Sequence, residues 1–466
     1  MSGQTPATLW AKGLPLDQAI HRFTVGEDPQ LDLQLLPFDC MGSAAHARML
    51  TEVGLLPWAD GQGLVGALAA LFPRCQAGQL VIDPALEDGH TALEAALVEM
   101  LGESGKRIHL ARSRNDQVVL ALRLLQRQAM VDLGALLVDL AASLHRFAGQ
   151  HADQFLPGFT HLRRAMPSSV GQWAVAYVEA LIEELDALPA IWQRLDRCPS
   201  GSAAGFGVPL AIDRERSAQL LGFSRVQRAT IDVQNSRARH SQALLDWLAS
   251  VALGLEKLCW DLCLYSGEEF GYFALPDAAT TGSSIMPNKR NPDVAELGRA
   301  RCRELYAMAQ SHRQIMSGLP SSYHRDFQLG KGPLLAAINL AAELFDVLRR
   351  VVDGLQVRSD RADAAMSDDL YAADRASLLA AAGMPFRDAY RQVAAELAAG
   401  DFAADRGAAN LHTGARGSLA LEVAQRELDQ AGEWVQAKAS ALASLPQQVF
   451  SLDGWRSPGA AQHKES

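Results

Sequence analysis

Apolar residues recur at steps of three and four along most of the chain, which is the pattern of amphipathic helices. Pro189 is expected to kink or break one of these helices, because proline removes a backbone donor. No series of alternating strands is visible, so the predicted fold class is all-α. The long helices are predicted over 117–147, 168–197, 236–265, 293–317 and 334–355.

Helices of this length bury their apolar faces only by packing against one another, which predicts a bundle. The longest one, at about 1.5 Å per residue, spans roughly 46 Å. Because the apolar faces are wide, part of the bundle surface is expected to meet other subunits of a homo-oligomer. We divide the chain into an N-terminal helical domain at 1–105, a central long-helix bundle at 106–357 and a small C-terminal helical domain at 358–466.

Composition places the chain among ordinary globular proteins. Of 466 residues, 48% are hydrophobic and 21% are charged, which excludes a disordered chain. The 43 Lys and Arg residues against 53 Asp and Glu residues give a net charge of −10. An acidic protein does not attract a polyphosphate, so no nucleic-acid partner is expected. A local basic pocket for a small anion is compatible with this balance.

Targeting and metal signals are not visible in the sequence. The most apolar short run, 63–72, is about half of the 18 residues that a spanning helix needs, so no membrane segment is expected. Residues 1–12 lack the basic and apolar regions of a secretory signal. The six cysteines form no CxxC pair and no zinc spacing, so no metal is predicted. These features together predict a soluble cytoplasmic protein.

The densest polar chemistry lies in 281–292, TGSSIMPNKRNP, directly before a helical pattern. Glycine permits close backbone approach, and two prolines limit how far the loop collapses. The helix that follows favours an anion at its N-terminus. A solvated surface loop seldom combines these features, so we expect a binding loop for a carboxylate. Its donors are Ser283, Ser284, Lys289 and Asn291.

Three further segments are polar and border helices. HLARSRNDQ at 109–117 carries arginines suited to bidentate carboxylate binding, although it could be a surface charge cluster. GFTHLRRAMP at 158–167 places His161 between a threonine and two arginines, and this histidine could be structural. SYHRDFQLGK at 322–331 offers large donors, which a solvated helix face could also carry.

These four segments together resemble the fumarase/aspartase superfamily. GSSIMPNKRNP matches its signature loop, and RSRNDQV, THLRRAMP and YHRDFQLGK are similar to the argininosuccinate lyase family in particular. The resemblance covers about 9–350 in order. It implies a three-domain fold with a tetrameric helical core, and sites built from three subunits. It further implies anti elimination of argininosuccinate to arginine and fumarate through an aci-carboxylate, without cofactor or metal.

The resemblance also implies roles at matching positions. Ser283 matches the catalytic base, and Lys289 and Asn291 would hold the succinyl carboxylate. His161 matches the histidine that transfers a proton directly or through water, and Glu296 matches the carboxylate that orients it.

The remaining matches are substrate ligands. Asn115 and Thr160 resemble residues on the succinyl side. Arg114 and Arg325 would bind an anion or support the site. The residues matching ligands of the arginine half or of the carboxylates are Tyr323, Gln328 and Lys331.

Several positions depart from the family pattern. Leu110 and Ala111 stand where Thr-Gly is usual, and Arg163 and Met166 stand where glutamine is usual. One alternative is therefore a paralogous lyase that releases fumarate from another N-substituted aspartate. Another is a non-catalytic structural homologue, which loss of the base or the histidine would favour. Both of those residues are present.

Overall fold

A computed structural model describes residues 17–407, 410 and 412–456, and nearly all of its long elements are helices. Residues 1–12, on which the expectation of no secretory signal rests, lie outside the described part. The N-terminal portion is a compact set of helices: α1 (Gln18–Val25), α2 (Asp28–Leu31), α3 (Leu36–Glu52), α4 (Trp58–Gln76) and α5 (Gly89–Leu101). Helices α3 and α4 pack against each other, and α3 also packs on the first long helix of the centre.

The centre of the chain forms the predicted bundle. Its elements are α6 (Arg114–Gln150), α7 (Val170–Asp186), α8 (Leu188–Leu195), α9 (Arg214–Leu220), α10 (Thr230–Asn235), α11 (Arg237–Tyr265), α12 (Asp293–Ile315) and α13 (Lys331–Asp353). Helix α6 packs on α7 and α13, and α12 packs on α11 and α13. One continuous hydrophobic core runs from α3 through these helices. The all-α class is therefore confirmed.

The C-terminal portion adds shorter helices and one long one. They are α14 (Ser359–Ala364), α15 (Ala372–Ala381), α16 (Phe386–Ala399), α17 (Leu421–Ala443) and α18 (Leu445–Phe450). Small core clusters lie under α15 and α16, whereas α17 packs along α6 and joins the main core. The division at residues 105 and 357 stays a prediction.

In the part of the chain that the structure describes, six short strands lie between the helices, and the apolar pattern of the sequence did not indicate them. The strands are β1 (Phe155–Thr160), β2 (Arg163–Ser169), β3 (Phe273–Ala274), β4 (Thr281–Gly282), β5 (Arg290–Asn291) and β6 (Gln356–Val357). They form three antiparallel pairs: β1 with β2, β3 with β6 and β4 with β5. Prolines in β1 and β2 disfavour helix there, and the Ser169 hydroxyl accepts the Gln172 N–H to begin α7. Pro189 breaks the helix as predicted, since α7 ends at Asp186.

Helix α6 is longer and more apolar than the sequence analysis allowed. By length and composition it could cross a membrane, because an 18-residue window reaches a mean hydropathy of 1.2. This does not contradict the expectation of no membrane segment, because core helices meet the same criterion. In the fold, 56% of that window is buried, which is the environment of a core helix.

Three buried histidines are held neutral by the fold. Burial lowers the pKa of His46 to about 3, of His240 to about 2 and of His312 to about 4. These folded-state values lie below the unfolded value of about 6.5, so the unfolded chain binds more protons at acidic pH. Their contribution to stability is complete above about pH 6.5 and is lost as the pH falls below it.

We expect His240→Gln to reduce the acid sensitivity of the fold. The glutamine oxygen still accepts the hydrogen bond that Arg123 donates to Nδ1, but glutamine cannot be protonated. Between pH 8 and pH 5 the variant should lose about 2 kcal/mol less unfolding free energy than the wild type. Urea denaturation at both pH values measures this difference. The exposed His412→Gln should lose as much as the wild type, and an equal loss in His240→Gln would refute the assignment.

Candidate active site

A polar pocket with an empty volume of about 780 Å³ lies where α2, the start of α6 and the segment before α13 meet. Sequence positions more than 200 residues apart converge there. Six of the predicted ligands line it: Arg114, Asn115, Tyr323, Arg325, Gln328 and Lys331. The structure therefore brings together the ligands predicted from RSRNDQV and those from YHRDFQLGK.

The N-terminus of α6 presents two of these residues to the pocket. Ser113 accepts the N–H of Asn115 at 3.3 Å, and Asp116 accepts the N–H of Ser113 at 3.0 Å. This capping box holds Arg114 and Asn115 in the first turn, at the positive end of the helix dipole. Burial raises the pKa of Asp116 to about 6.

Lys331 is buried among acidic residues at the base of the pocket. It is 3% exposed, and its Nζ lies 2.7 Å from Asp28 and 2.6 Å from Asp32. Asp32 also accepts the N–H of Gly89 at 3.0 Å. The charge of Lys331 is therefore balanced within the fold. Burial raises the pKa of Asp28 despite this lysine.

The last turn of α1 is tied to the segment before α13 through its backbone carbonyls. Gln328 donates to the carbonyls of Thr24 at 3.0 Å and Val25 at 2.9 Å. Arg325 donates to the Thr24 carbonyl at 2.8 Å and to Gln328 at 3.2 Å. The sequence analysis named no ligand in this turn. Its contribution lies in the backbone, which side-chain motifs do not reveal.

A buried histidine and a second acidic group complete the pocket wall. His90 Nδ1 lies 2.7 Å from Asp39, whose carboxylate also accepts from Gln117 at 2.9 Å. Burial disfavours the imidazolium, but the carboxylates of Asp39, Asp88 and Asp32 together outweigh burial and raise the pKa of His90. Asp88 pairs with Arg114 at 3.2 Å. The motif EDGH at 87–90, which fits the family, is the signal that marks this wall.

The signature loop stands apart from this pocket. Strands β4 and β5 close its two ends, pairing Thr281 with Asn291. The half-buried Ser283 hydroxyl accepts the N–H groups of Ile285 at 3.4 Å and Met286 at 3.1 Å. Lys289 and its neighbours at the tip are exposed.

The predicted catalytic histidine occupies a tight hairpin turn. His161 and Leu162 connect β1 to β2 with φ values of 53° and 58°, and Thr160 pairs with Arg163. Two consecutive residues in the left-handed region fit a hairpin turn, but non-glycine residues there are strained. Thr160 and His161 are both exposed. The turn presents the imidazole outward.

Within one chain, the predicted site residues fall into three separate groups. The pocket holds one group, the β1–β2 turn holds Thr160 and His161, and the signature loop holds Ser283, Lys289 and Asn291. Glu296 lies exposed on α12 and pairs with Arg299 at 3.3 Å. Among the described residues, no hydrogen bond or ion pair joins Glu296 to His161, the histidine that it is predicted to orient.

The chain matches known lyases over most of its length. Residues 16–306 match the sequence family described as lyase. An argininosuccinate lyase from Sorangium cellulosum is 44% identical over 425 residues, which cover 91% of this chain and 98% of the relative. An argininosuccinate lyase from Stenotrophomonas maltophilia is 40% identical over 388 residues, covering 83% and 90%.

Solved structures share the fold. An EDDS lyase in complex with formate superposes with a TM-score of 0.78 at 21% identity, covering 94% of this chain and 95% of that one. A class II fumarase from Schistosoma mansoni gives a TM-score of 0.70 at 18% identity, covering 93% and 96%. The fold and the lyase match place the chain in the fumarase/aspartase superfamily. Within it, the chain belongs to the argininosuccinate lyase family, as the identities to those relatives establish.

Proposed function

We propose that this protein catalyses the reversible anti elimination of argininosuccinate to L-arginine and fumarate. The observation that carries the proposal is the pocket lined by the predicted ligands, inside a chain that matches argininosuccinate lyases along nine-tenths of its length. The pocket presents acidic groups beside cationic and amide donors. Argininosuccinate carries an ammonium and a guanidinium group, which suit the acidic residues of the pocket. It also carries carboxylates, which suit the cationic and amide donors.

In the proposed reaction, Ser283 takes a proton from the carbon next to a succinyl carboxylate. The electron pair moves onto that carboxylate, which becomes a doubly charged aci-carboxylate. The C–N bond at the adjacent carbon then breaks, and His161 supplies a proton to the departing nitrogen directly or through water. Lys289 and Asn291 stabilise the aci-carboxylate, because charge developing in the transition state is best met by fixed donors. These reaction steps need no cofactor.

We further propose a cytoplasmic homotetramer in which each active site draws on three subunits. The separation of pocket, β1–β2 turn and signature loop within one chain supports this arrangement. Helices α11 and α12 also leave large apolar side chains exposed: Leu253, Trp260 and Leu297 are 58%, 42% and 62% exposed. Packing against further subunits would bury them.

The function is tested by incubating the purified protein with argininosuccinate and following arginine and fumarate together. We expect equal amounts of both products. A panel of other N-substituted aspartates serves as the control, with fumarate release measured for each. If argininosuccinate is untouched while another compound yields fumarate, the paralogous lyase is the correct function. If no compound is cleaved, the protein is a non-catalytic structural homologue.

If each active site is built from several subunits, mixing the subunits of two inactive variants should restore activity. Ser283→Ala and His161→Asn should each be inactive alone. After joint denaturation and refolding at equal amounts, about a quarter of the sites should combine a native serine with a native histidine from different subunits. The measurement is argininosuccinate cleavage by the mixture. A mixture as inactive as its components would refute the sharing of these two residues between subunits.

A further inference from the structure

One cation of the pocket was not singled out by the sequence. Arg237 is the first residue of α11 and is 7% exposed, yet it lines the pocket beside Tyr323 and Gln328. Its guanidinium carbon lies 5.0 Å from the ring centre of Phe327 and 5.7 Å from that of Tyr323. These two rings fix the position of the guanidinium.

Arg237 differs from the neighbouring cations in its partners. Lys331 is paired with two aspartates, and Arg114 is paired with Asp88. Among the residues that the structure describes, Arg237 has only its aromatic contacts and a longer-range attraction to Asp28. None of its three guanidinium nitrogens is sealed from solvent without a hydrogen-bond partner. They therefore reach accessible space, and the side chain lines this pocket as well as a smaller cavity between α6, α11 and α13.

A buried guanidinium without an acidic partner favours an anionic ligand. Burial of an unpaired charge is costly, and a bound anion offsets that cost. Burial lowers the pKa of Arg237 to about 10, so the side chain keeps its charge at neutral pH. Its planar fork of N–H donors matches a carboxylate in bidentate geometry. The N-terminus of the long helix α11 adds positive potential at the same place.

The surroundings indicate which carboxylate of the substrate belongs here. The same pocket is also lined by the carboxylates of Asp28, Glu87 and Asp88, which give it acidic groups beside its cations. An α-amino acid presents a carboxylate and an ammonium on one carbon, so it offers a counterpart to both kinds of lining at once. The predicted ligands of the reacting succinyl carboxylate, Lys289 and Asn291, lie outside this pocket, on the signature loop.

We propose that Arg237 binds the α-carboxylate of the arginine half and thereby selects an amino acid as the leaving amine. This rests on the proposed function and answers a question that the departures at positions 110, 111, 163 and 166 left open. An amine without an α-carboxylate leaves the guanidinium buried and unpaired, so it binds less tightly.

The test compares arginine with argininamide, in which a carboxamide replaces the α-carboxylate. Binding of each compound is measured by calorimetry with succinate in the cell, since succinate occupies the fumarate site without reacting. The wild type should bind arginine roughly 10- to 100-fold more tightly than argininamide. Arg237→Gln should lose that preference, with arginine weakened to the level of argininamide.

The comparison is made on each variant separately, so a partly misfolded preparation lowers the number of sites but leaves the ratio of the two affinities unchanged. Arg239→Gln is the matched control: it removes the same charge two residues further along α11, from a side chain that is 64% exposed and paired with Asp232. It should keep the wild-type preference. Arg237→Lys should recover part of it.

The inference and the proposed function fail in different ways. If the wild type cleaves argininosuccinate but Arg237→Gln still prefers arginine, the role of Arg237 is refuted and the function stands. A wild type that cleaves argininosuccinate and binds both compounds equally also refutes the role. If the wild type cleaves no argininosuccinate and binds no arginine, the function itself is wrong.

Discussion

Ser283→Ala is expected to lower kcat for argininosuccinate cleavage by about 100- to 10,000-fold, the range that a positioned general base contributes. The variant should keep its oligomeric state and its thermal unfolding temperature, because the half-buried hydroxyl accepts its hydrogen bonds from Ile285 and Met286 of its own loop. Steady-state kinetics, size-exclusion chromatography and thermal unfolding measure these three quantities on one preparation.

Ser283 is expected to act as a base because its oxygen accepts hydrogen bonds from two backbone N–H groups. A serine hydroxyl is a weak base unless its oxyanion is stabilised, and N–H donors favour the charged form. The donors from Ile285 and Met286 lie two and three residues after the serine, within the same turn of the loop. Closure of the loop over a substrate would exclude water and strengthen both interactions.

A second measurement separates proton removal from a general loss of activity. A base that removes the succinyl proton also catalyses exchange of that proton with deuterium from solvent. Ser283→Ala should therefore lose this exchange together with cleavage. Ser377→Ala, on an exposed helix of the C-terminal portion, is the control and should retain both. Turnover close to the wild type, or exchange without cleavage, would remove Ser283 as the base.

The sequence predicted the long helices well because their apolar periodicity is strong. Helix α11 ends at Tyr265 as predicted, and α12 was placed to within a few residues. The interval between α6 and α7 was not predicted, since a strand pair there depends on pairing between two segments and not on a local pattern. The turn at His161 and Leu162 carries neither glycine nor asparagine, so its left-handed backbone leaves no sequence signal.

The sequence predicted the site residues that lie in segments with several polar residues. It did not predict isolated residues that only the fold brings to the pocket. The segments 109–117 and 322–331 each combine several polar residues, and they meet in one pocket as expected. Asp28 and Arg237 stand alone in otherwise unremarkable helical stretches, and only the fold reveals their position. The φ of Gly282 lies outside the left-handed region, so the backbone conformation at this position does not require glycine.

Lys289→Met is expected to lower kcat by about 100- to 1,000-fold, as loss of one oxyanion-stabilising donor does, with a smaller change in KM. The substrate carboxylate carries one negative charge in the ground state, whereas the aci-carboxylate carries two. A cation that contacts this group therefore stabilises the intermediate and the transition state that leads to it more than it stabilises bound substrate. Lys289 lies exposed at the loop tip, so its long side chain is available to reach a substrate when the loop closes.

The matched control removes one lysine charge from a site unrelated to the loop. Lys106→Met makes the same chemical change in an exposed side chain that pairs with Glu103, and its kinetics should equal those of the wild type. Lys289→Arg should recover part of kcat, because it restores the charge with a different donor geometry. If Lys289→Met raised KM and left kcat unchanged, the lysine would contribute equally to substrate and transition-state binding. The stabilisation of the second charge would then have to come from the Asn291 amide and the N-terminus of α12.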